Sequence, residues 1–219
     1  MKPSRFDLIV FDWDGTLFDS TAVIVRCMQA ACRDVGAEVP SDAQAAYVIG
    51  LGLEDALRSA VPGLPRERYG ELGLRYRHHY FASQHELSLF DGTLAMLGAL
   101  KARRHRLGVA TGKTRRGLDE ALGTVQLKGL FDATRTADET ASKPDPRMLR
   151  ELMEELAVAP ERTLMIGDTT HDLQLGSNAG AACLAVSYGA HERGAFEAHA
   201  PLAVLHSTAE LHGWLLAHA

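Results

Sequence analysis

The stretch that most constrains the fold is the run Leu8–Phe11, which two acids, Asp12 and Asp14, follow directly. Four consecutive apolar residues rich in β-formers suit a strand buried on both faces of a parallel sheet. The Gly-Thr pair after Asp14 predicts a turn that ends this strand. Ligands of open α/β sheets bind beyond the carboxyl ends of the strands. The position of the two acids therefore predicts that they lie at the mouth of a site.

Asp12 and Asp14 are two residues apart, so in a regular strand their side chains would point the same way. Carboxylates held that close repel each other unless a cation or a shared proton relieves the repulsion. Asp-Gly is also a common turn dipeptide, and a strand end with two solvated acids is the alternative. This stretch alone leaves the two interpretations open.

Composition excludes some classes of protein. The 219 residues carry a net charge of −5, which argues against a nucleic-acid partner. No apolar run approaches the roughly 18 residues of a membrane span. The N-terminus leads into the first strand without a small-residue cleavage site, so no signal peptide is expected. Three cysteines without a CxxC motif predict buried free thiols and a cytoplasmic protein.

The periodicity divides the chain into two kinds of structure. Residues 20–85 read as helices, with Asp19 or Ser20 as a first cap and a capping box from Ser41 to Gln44. From residue 86 onward strands and helices alternate, with strands predicted at 106–110, 133–136, 163–166, 183–186 and 202–205. Such alternation is typical of a doubly wound, mostly parallel α/β sheet.

Roughly ninety residues separate the first strand from the second, far more than one crossover connection needs. The simplest solution is a helical module inserted after the first strand and covering its carboxyl end. We therefore predict an α/β core domain of residues 1–17 and 86–219 and an α-helical cap domain of residues 18–85.

Polar residues lie at four predicted strand ends or in the loops adjacent to them. Each has a purely structural explanation when taken alone: a helix-capping hydroxyl, a solvated lysine, or acids in a first helical turn. Together they fall at one rim of the predicted sheet, which favours a functional site. The residues are Asp12, Asp14, Thr111, Lys143, Asp168 and Asp172.

The ordered motifs FDWDGTLFDS, VATGK, SKPDP and IGDTTHD, with a helical insert between the first two, are specific as a set. The chain resembles the haloacid dehalogenase-like hydrolase superfamily, and within it the helical-cap, phosphoglycolate phosphatase-like group. The resemblance spans nearly the whole chain and implies a Rossmann-like core. The sequence departs from the family pattern at the bulky Trp13 and at the TTH of the fourth motif, and neither departure removes a group that the chemistry needs.

The resemblance implies a Mg²⁺-dependent phosphatase that forms an aspartyl-phosphate on Asp12. Asp14 would protonate the leaving oxygen and then activate water. Thr111, the Gly112 amide and Lys143 would bind the phosphoryl oxygens. Carboxylate oxygens suit Mg²⁺, and no His or Cys cluster suggests zinc. The implied metal ligands are Asp12, the backbone carbonyl of Asp14, Asp168 and, directly or indirectly, Asp172.

Substrate choice would lie in the cap, where the sequence is least informative. Phosphoglycolate is the leading substrate by resemblance, followed by sugar or nucleotide phosphates. The loop from Gly50 to Asp55 could face the site. Possible anion-binding groups, which could equally be a solvated helix face, are Arg75, Arg77, His78 and His79. Hinges at 18–20 and 82–90 would let the cap admit substrate and exclude water.

Two rival functions use the same fold. A phosphomutase similar to β-phosphoglucomutase would keep these residues but return the phosphoryl group to the sugar. A non-catalytic binding protein would need neither Asp14 nor Lys143, so their presence argues against it. The expected partner is a small phosphorylated metabolite, without nucleic acid or membrane, and both monomer and homodimer are open.

Overall fold

The computed structural model describes residues 5–125 and 127–219. The strands in that part are β1 (Leu8–Phe11), β2 (Phe18–Asp19), β3 (Ser88–Leu89), β4 (Arg106–Thr111), β5 (Ala133–Thr136), β6 (Thr163–Gly167), β7 (Ala182–Val186) and β8 (Val204–Leu205). Six of them form one parallel sheet in the order β5–β4–β1–β6–β7–β8. The predicted doubly wound α/β sheet is confirmed.

The helices fall into two groups. The first group lies between β2 and β3 and consists of α1 (Thr21–Asp34), α2 (Asp42–Tyr47), α3 (Leu53–Ala60) and α4 (Tyr69–Ala82). The second group alternates with the strands and consists of α5 (Thr93–Ala102), α6 (Arg115–Thr124), α7 (Arg147–Glu155), α8 (Thr170–Ala179) and α9 (Thr208–His218). The strand predicted at 202–205 is shorter than expected, and a 3₁₀ helix, Arg193–His199, precedes it.

The central strand β1 is buried on both faces, as the apolar run predicts. Ile9 and Phe11 belong to one hydrophobic cluster, and Leu8 and Val10 belong to the cluster on the other side of the sheet. Because side chains alternate along a strand, only a run without polar residues fits such a position.

The register brings the ends of three strands to one edge. Phe11 of β1 pairs with Val109 of β4 and with Ile166 of β6. The residues that follow these strands therefore emerge side by side at the carboxyl edge of the sheet, where ligands of such sheets bind.

Helices α1–α4, here called the helical module, contain a hydrophobic cluster of their own that includes Met28, Cys32, Leu57 and Leu72. The two chain segments that connect the module to the sheet pair with each other as the antiparallel strands β2 and β3. The sequence did not predict this two-stranded ribbon, because two-residue strands carry no periodicity.

Cys27, Cys32 and Cys183 are buried and free, as predicted. Within residues 5–125 and 127–219, no helix combines the length and hydropathy needed to cross a bilayer. The expectation about a signal peptide concerns the first residues of the chain, and residues 1–4 lie outside the described part.

Candidate active site

A buried lysine joins two of the predicted acids at the edge of the sheet. Lys143 Nζ donates to Asp12 Oδ1 and, over 2.6 Å, to Asp172 Oδ1. All three residues are at most 2% exposed. Burial raises the pKa of Asp12 well above its usual value even though Lys143 opposes the shift. Burial would lower the pKa of Lys143, but the charges of Asp12 and Asp172 outweigh it and raise that pKa.

Asp168 and Asp172 are fixed by neutral donors as well. Asp168 accepts hydrogen bonds from Thr16 Oγ1 at 2.8 Å and from the Ala190 amide at 2.7 Å. Asp172 Oδ2 accepts from the Thr169 hydroxyl at 2.7 Å, within the capping box that begins α8. Burial, followed by repulsion from Asp172, raises the pKa of Asp168 to about 7.

Two glycines let the backbone approach Asp168. A methyl group on Gly15 or on Gly189 would overlap the Asp168 carboxylate. Gly15 also has a φ of +87°, a conformation that residues with a side chain rarely adopt. The Gly in the DWDGT motif thus serves both the turn and the packing of the acid from β6.

The acids of this cluster fit a divalent cation. Asp12, Asp168 and Asp172 each offer a carboxylate oxygen, and these atoms all lie within 4.8 Å of one another. Asp12 Oδ2 is buried and has no hydrogen-bond partner among the described residues. A buried oxygen without a partner is costly, and a hard cation that binds carboxylates would satisfy it.

Asp14 binds a different lysine from the one that binds Asp12. Its Oδ1 accepts from Ser20 Oγ at 2.7 Å, and its Oδ2 lies 3.0 Å from Lys113 Nζ. Since β1 ends at Phe11, both acids lie beyond the regular strand, to which the expectation of a shared side-chain orientation applies. Lys113 Nζ also donates to the Tyr80 hydroxyl over 2.8 Å, which connects Asp14 to α4 of the helical module.

Four residues of the site were not identified from the sequence: Thr16, Ser20, Lys113 and Tyr80. Ser20 was predicted as a helix cap, and it does occupy the N-cap of α1, but its side chain makes no capping bond and binds Asp14 instead. Lys113 stands in the VATGK motif and could have been found by its spacing from Thr111. Tyr80 carries no signal in the sequence, because only the packing of the module brings it to Lys113.

Thr111 and Gly112 lie beneath a loop of the helical module. Thr111 is the last residue of β4, is 1% exposed, and accepts a hydrogen bond from the Lys113 amide at 3.2 Å. A methyl group on Gly112 would lie 2.6 Å from the Gly50 carbonyl oxygen and closer still to that of Leu51. Gly52 N donates to Ser142 Oγ over 2.9 Å, beside Lys143. The structure thus places the loop at 50–52 over the predicted phosphoryl-binding residues.

The candidate cations of the module separate into two groups. Arg75 and His79 both bind Asp34, at 2.6 and 2.7 Å, and are engaged on the surface of the module. His78 packs edge-on against His79. Arg77 lines a cavity between the module and the sheet, together with Asp14 and Gly112. Of these four residues, Arg77 is the one that the structure places at the site.

A second contact holds the module on the far side of the site. The Tyr47 carbonyl at the end of α2 lies 2.9 Å from His171 Nε2 and 3.0 Å from His191 Nε2. The Tyr47 ring stacks on His191 with centroids 5.0 Å apart and planes at 6°. Burial lowers the pKa of both histidines. His171 is the histidine of the TTH sequence in the fourth motif. This departure from the family pattern therefore contributes a contact to the module.

Comparisons with known proteins agree with this geometry. Residues 9–186 match the family model of haloacid dehalogenase-like hydrolases. A 5'-nucleotidase of Pseudomonas aeruginosa is 32% identical over 95% of this chain and 97% of its own. A phosphoglycolate phosphatase of Aliivibrio fischeri is 30% identical over 83% of this chain and 84% of its own.

A solved structure shows the same fold. The crystal structure of a hydrolase from Pseudomonas syringae superposes with a TM-score of 0.87 over 96% of this chain and 98% of its own, at 22% identity. The family match covers most of the chain, and both curated relatives align over most of their own length. The chain therefore belongs to the haloacid dehalogenase-like hydrolase family and resembles the phosphoglycolate phosphatase-like enzymes within it.

Proposed function

We propose that the protein is a Mg²⁺-dependent phosphatase that hydrolyses small phosphomonoesters through an aspartyl-phosphate on Asp12. The substrates are phosphoglycolate-like, sugar or nucleotide phosphates. The observation that carries this proposal is the Asp12 carboxylate, which is held by Lys143 on one oxygen while the other oxygen has no hydrogen-bond partner among the described residues. The phosphatase names of the relatives support it.

The first step forms a bond between a carboxylate oxygen of Asp12 and phosphorus and breaks the bond from phosphorus to the alcohol oxygen. Asp14 gives its proton to that leaving oxygen. A carboxylate is a weak nucleophile, so it must be held in place and the charge of the phosphate offset. Lys143 does both, because its Nζ already binds Asp12 and its charge lies beside the reacting oxygen.

The second step hydrolyses the intermediate. Asp14, now ionised, takes a proton from water, whose oxygen attacks phosphorus and releases Asp12 as a carboxylate. Ser20 and Lys113 hold the Asp14 side chain in place. The Thr111 hydroxyl and the Gly112 amide donate to the phosphoryl oxygens, where such donors stabilise developing charge.

Asp12, Asp168 and Asp172, with the Asp14 carbonyl, would hold the Mg²⁺ ion. When bound, it would neutralise charge on the carboxylates and on the phosphoryl oxygens. Thr16 and the Ala190 amide support this arrangement by fixing the orientation of Asp168.

The domain division proposed from the sequence gives the module a role in this reaction. Residues 18–85 form the cap and residues 1–17 and 86–219 the core, with the β2–β3 ribbon near the expected hinges at 18–20 and 82–90. Closing the loop at 50–52 over Gly112 would exclude bulk water from the intermediate. The three free thiols suit the cytoplasm, which we propose as the location.

The test is phosphate release from a panel of phosphorylated metabolites, with Mg²⁺ or with EDTA. We expect release that requires Mg²⁺ and falls at least about 10³-fold in Asp12→Asn, since that variant keeps the shape of the side chain but loses the nucleophile. Full turnover by Asp12→Asn would refute the mechanism. Conversion of glucose 1-phosphate to an isomer without phosphate release would indicate the mutase instead.

A further inference from the structure

A cavity of about 200 Å³ opens between the helical module and the sheet, directly beside the proposed acid Asp14 and the phosphoryl-binding Gly112. The alcohol part of a bound phosphomonoester must extend into this space, because Asp14 is the group that protonates its oxygen. The chemical character of the cavity wall therefore indicates which kind of alcohol group the enzyme accepts.

The wall of the cavity formed by α1, α3 and the segment after α2 is apolar. Its buried side chains come from α1 and from the segment after α2, and all of these side chains are at most 7% exposed: Ile24, Met28, Val48 and Ile49. Leu53 and Ala56 of α3 continue the apolar wall. A polar or charged alcohol would lose water here and find few groups to bind, which is unfavourable.

Aromatic side chains of α4 form another wall. Tyr76 and Tyr80 stack with centroids 6.0 Å apart, and both line the cavity. Phe81, another lining residue, is 42% exposed. Burial raises the pKa of both tyrosines, so this wall is uncharged at neutral pH.

The cations in the cavity wall are mostly neutralised. Lys113 binds Asp14, and Arg116 binds Glu120 on the same helix. Among the described residues, Arg77 has no ion-pair partner, but its side chain is exposed. Its guanidinium lies within 4.0 Å of the position that a Cβ on Gly73, in the same helix, would take. Apart from Arg77, a short anionic alcohol such as glycolate would thus meet an apolar surface and cations that are already paired.

We propose that this enzyme selects phosphomonoesters whose alcohol carries an uncharged, largely apolar group about the size of one aromatic ring. The inference rests on the proposed phosphatase function and names its substrate class. The volume fits, since an apolar protein cavity of about 150 Å³ accepts benzene. It also separates this chain from enzymes that use a small anionic alcohol.

The experiment compares 2-phenylethyl phosphate with ethyl phosphate and phosphoglycolate in Mg²⁺. The first two esters both release an unactivated primary alcohol. The difference between their kcat/KM values therefore reports binding of the ring rather than acidity of the leaving group. We expect kcat/KM for 2-phenylethyl phosphate to exceed that for ethyl phosphate at least about tenfold, as burial of one apolar group allows.

A pair of variants tests the location. Ala56→Leu adds bulk to the cavity wall, whereas Ala60→Leu makes the same change in α3 at a residue that does not line the cavity. Ala56→Leu is expected to raise KM for 2-phenylethyl phosphate about tenfold and to raise KM for ethyl phosphate by less. Ala60→Leu is expected to change neither. The preference of the unmodified enzyme decides the question even if Ala56→Leu fails to fold.

Equal efficiency on ethyl and 2-phenylethyl phosphate would overturn this inference and leave the phosphatase intact. So would a preference for phosphoglycolate that disappears in Arg77→Met, since that outcome would make Arg77 a carboxylate-binding group. Absence of phosphate release from every ester would overturn the proposed function itself, and this inference with it.

Discussion

The two lysine–carboxylate clusters of the site differ in where their partners come from. Lys143 binds Asp12 and Asp172, and all three belong to segments at the carboxyl edge of the sheet. Lys113 binds Asp14 from the same edge but also Tyr80 from the helical module. One cluster is complete within the sheet, while the other depends on how the module packs.

This difference indicates that the two clusters have different roles in the proposed reaction. The Lys143 cluster is almost fully buried and contains two of the three acids that could hold a metal ion, so it suits a nucleophile and a metal ion. The Lys113 cluster faces the cavity, where the alcohol would leave, and the Tyr80 contact links it to the module. Changes to the first cluster should therefore affect chemistry and stability, and changes to the second should affect chemistry in a substrate-dependent way.

Lys143→Met should have the largest effect. We expect kcat to fall about 10³-fold, because a preorganised charge beside the reacting oxygen is lost. Unfolding should become easier by about 3–5 kcal/mol in metal-free protein, because two buried carboxylates lose their counter-charge. Thermal unfolding and phosphate release measure both. Lys101→Met is the control, since Lys101 binds Asp132 in a partly exposed pair worth at most about 1 kcal/mol.

The acidic cluster should make the metal-free protein less stable as pH rises. The Asp168 pKa is about 7 in the folded state, whereas an unfolded aspartate has a pKa of about 3.9. Between these values the unfolded chain has already released the proton that the folded chain keeps, so the free energy of unfolding falls with pH.

Urea unfolding in EDTA at several pH values measures this slope. Asp168→Asn should reduce this slope and leave the contribution of Asp12, whose pKa is also raised, while Tyr80→Phe, at the other cluster, should leave the slope unchanged. Adding Mg²⁺ at about 100 times its Kd should restore about 2.7 kcal/mol at neutral pH. A free energy of unfolding that does not change from pH 4 to 7 in EDTA would show that the pKa of Asp168 is not raised in the folded protein.

Lys113→Met should have a smaller effect than Lys143→Met. We expect kcat to fall about 10-fold to 100-fold, because Asp14 loses one of the two groups that hold it. Tyr80→Phe removes only the hydroxyl and should cost less than about tenfold. The two changes should be non-additive in a double-mutant cycle, since both act through the Lys113–Tyr80 hydrogen bond. Additive effects would contradict the coupling between the Lys113 cluster and the module.

Gly112→Ala should have the smallest effect on chemistry and act through the module. The added methyl group would overlap the carbonyl oxygens of the loop at 50–52 and push that loop away. We expect KM to rise several-fold with kcat nearly unchanged, and stability to fall by about 1–3 kcal/mol. Gly123→Ala is the control, because a methyl group there meets no atom within 4 Å and lies in α6. An unchanged KM would mean that the loop position does not matter for binding.

Much of the sheet and its site was predictable from local sequence. The unbroken apolar run of β1 specifies a central buried strand, and parallel pairing then brings Asp12, Thr111 and Asp168 to one edge. The capping box at Ser41 and the helices α1–α9 also follow from local patterns. The two-residue strands β2 and β3 could not be predicted, because too few residues are involved to show a period.

The sequence by itself determined the order of the motifs, the buried central strand and the acids placed at its carboxyl edge, because those features depend on short-range patterns and on the geometry of parallel sheets. Only the tertiary structure decided that Asp14 binds Lys113, that Tyr80 joins them, and that His171 and His191 meet at the Tyr47 carbonyl. The contacts of Tyr80 and Tyr47 join the module to residues that follow the strands of the sheet, and no local pattern encodes how two separately packed layers meet.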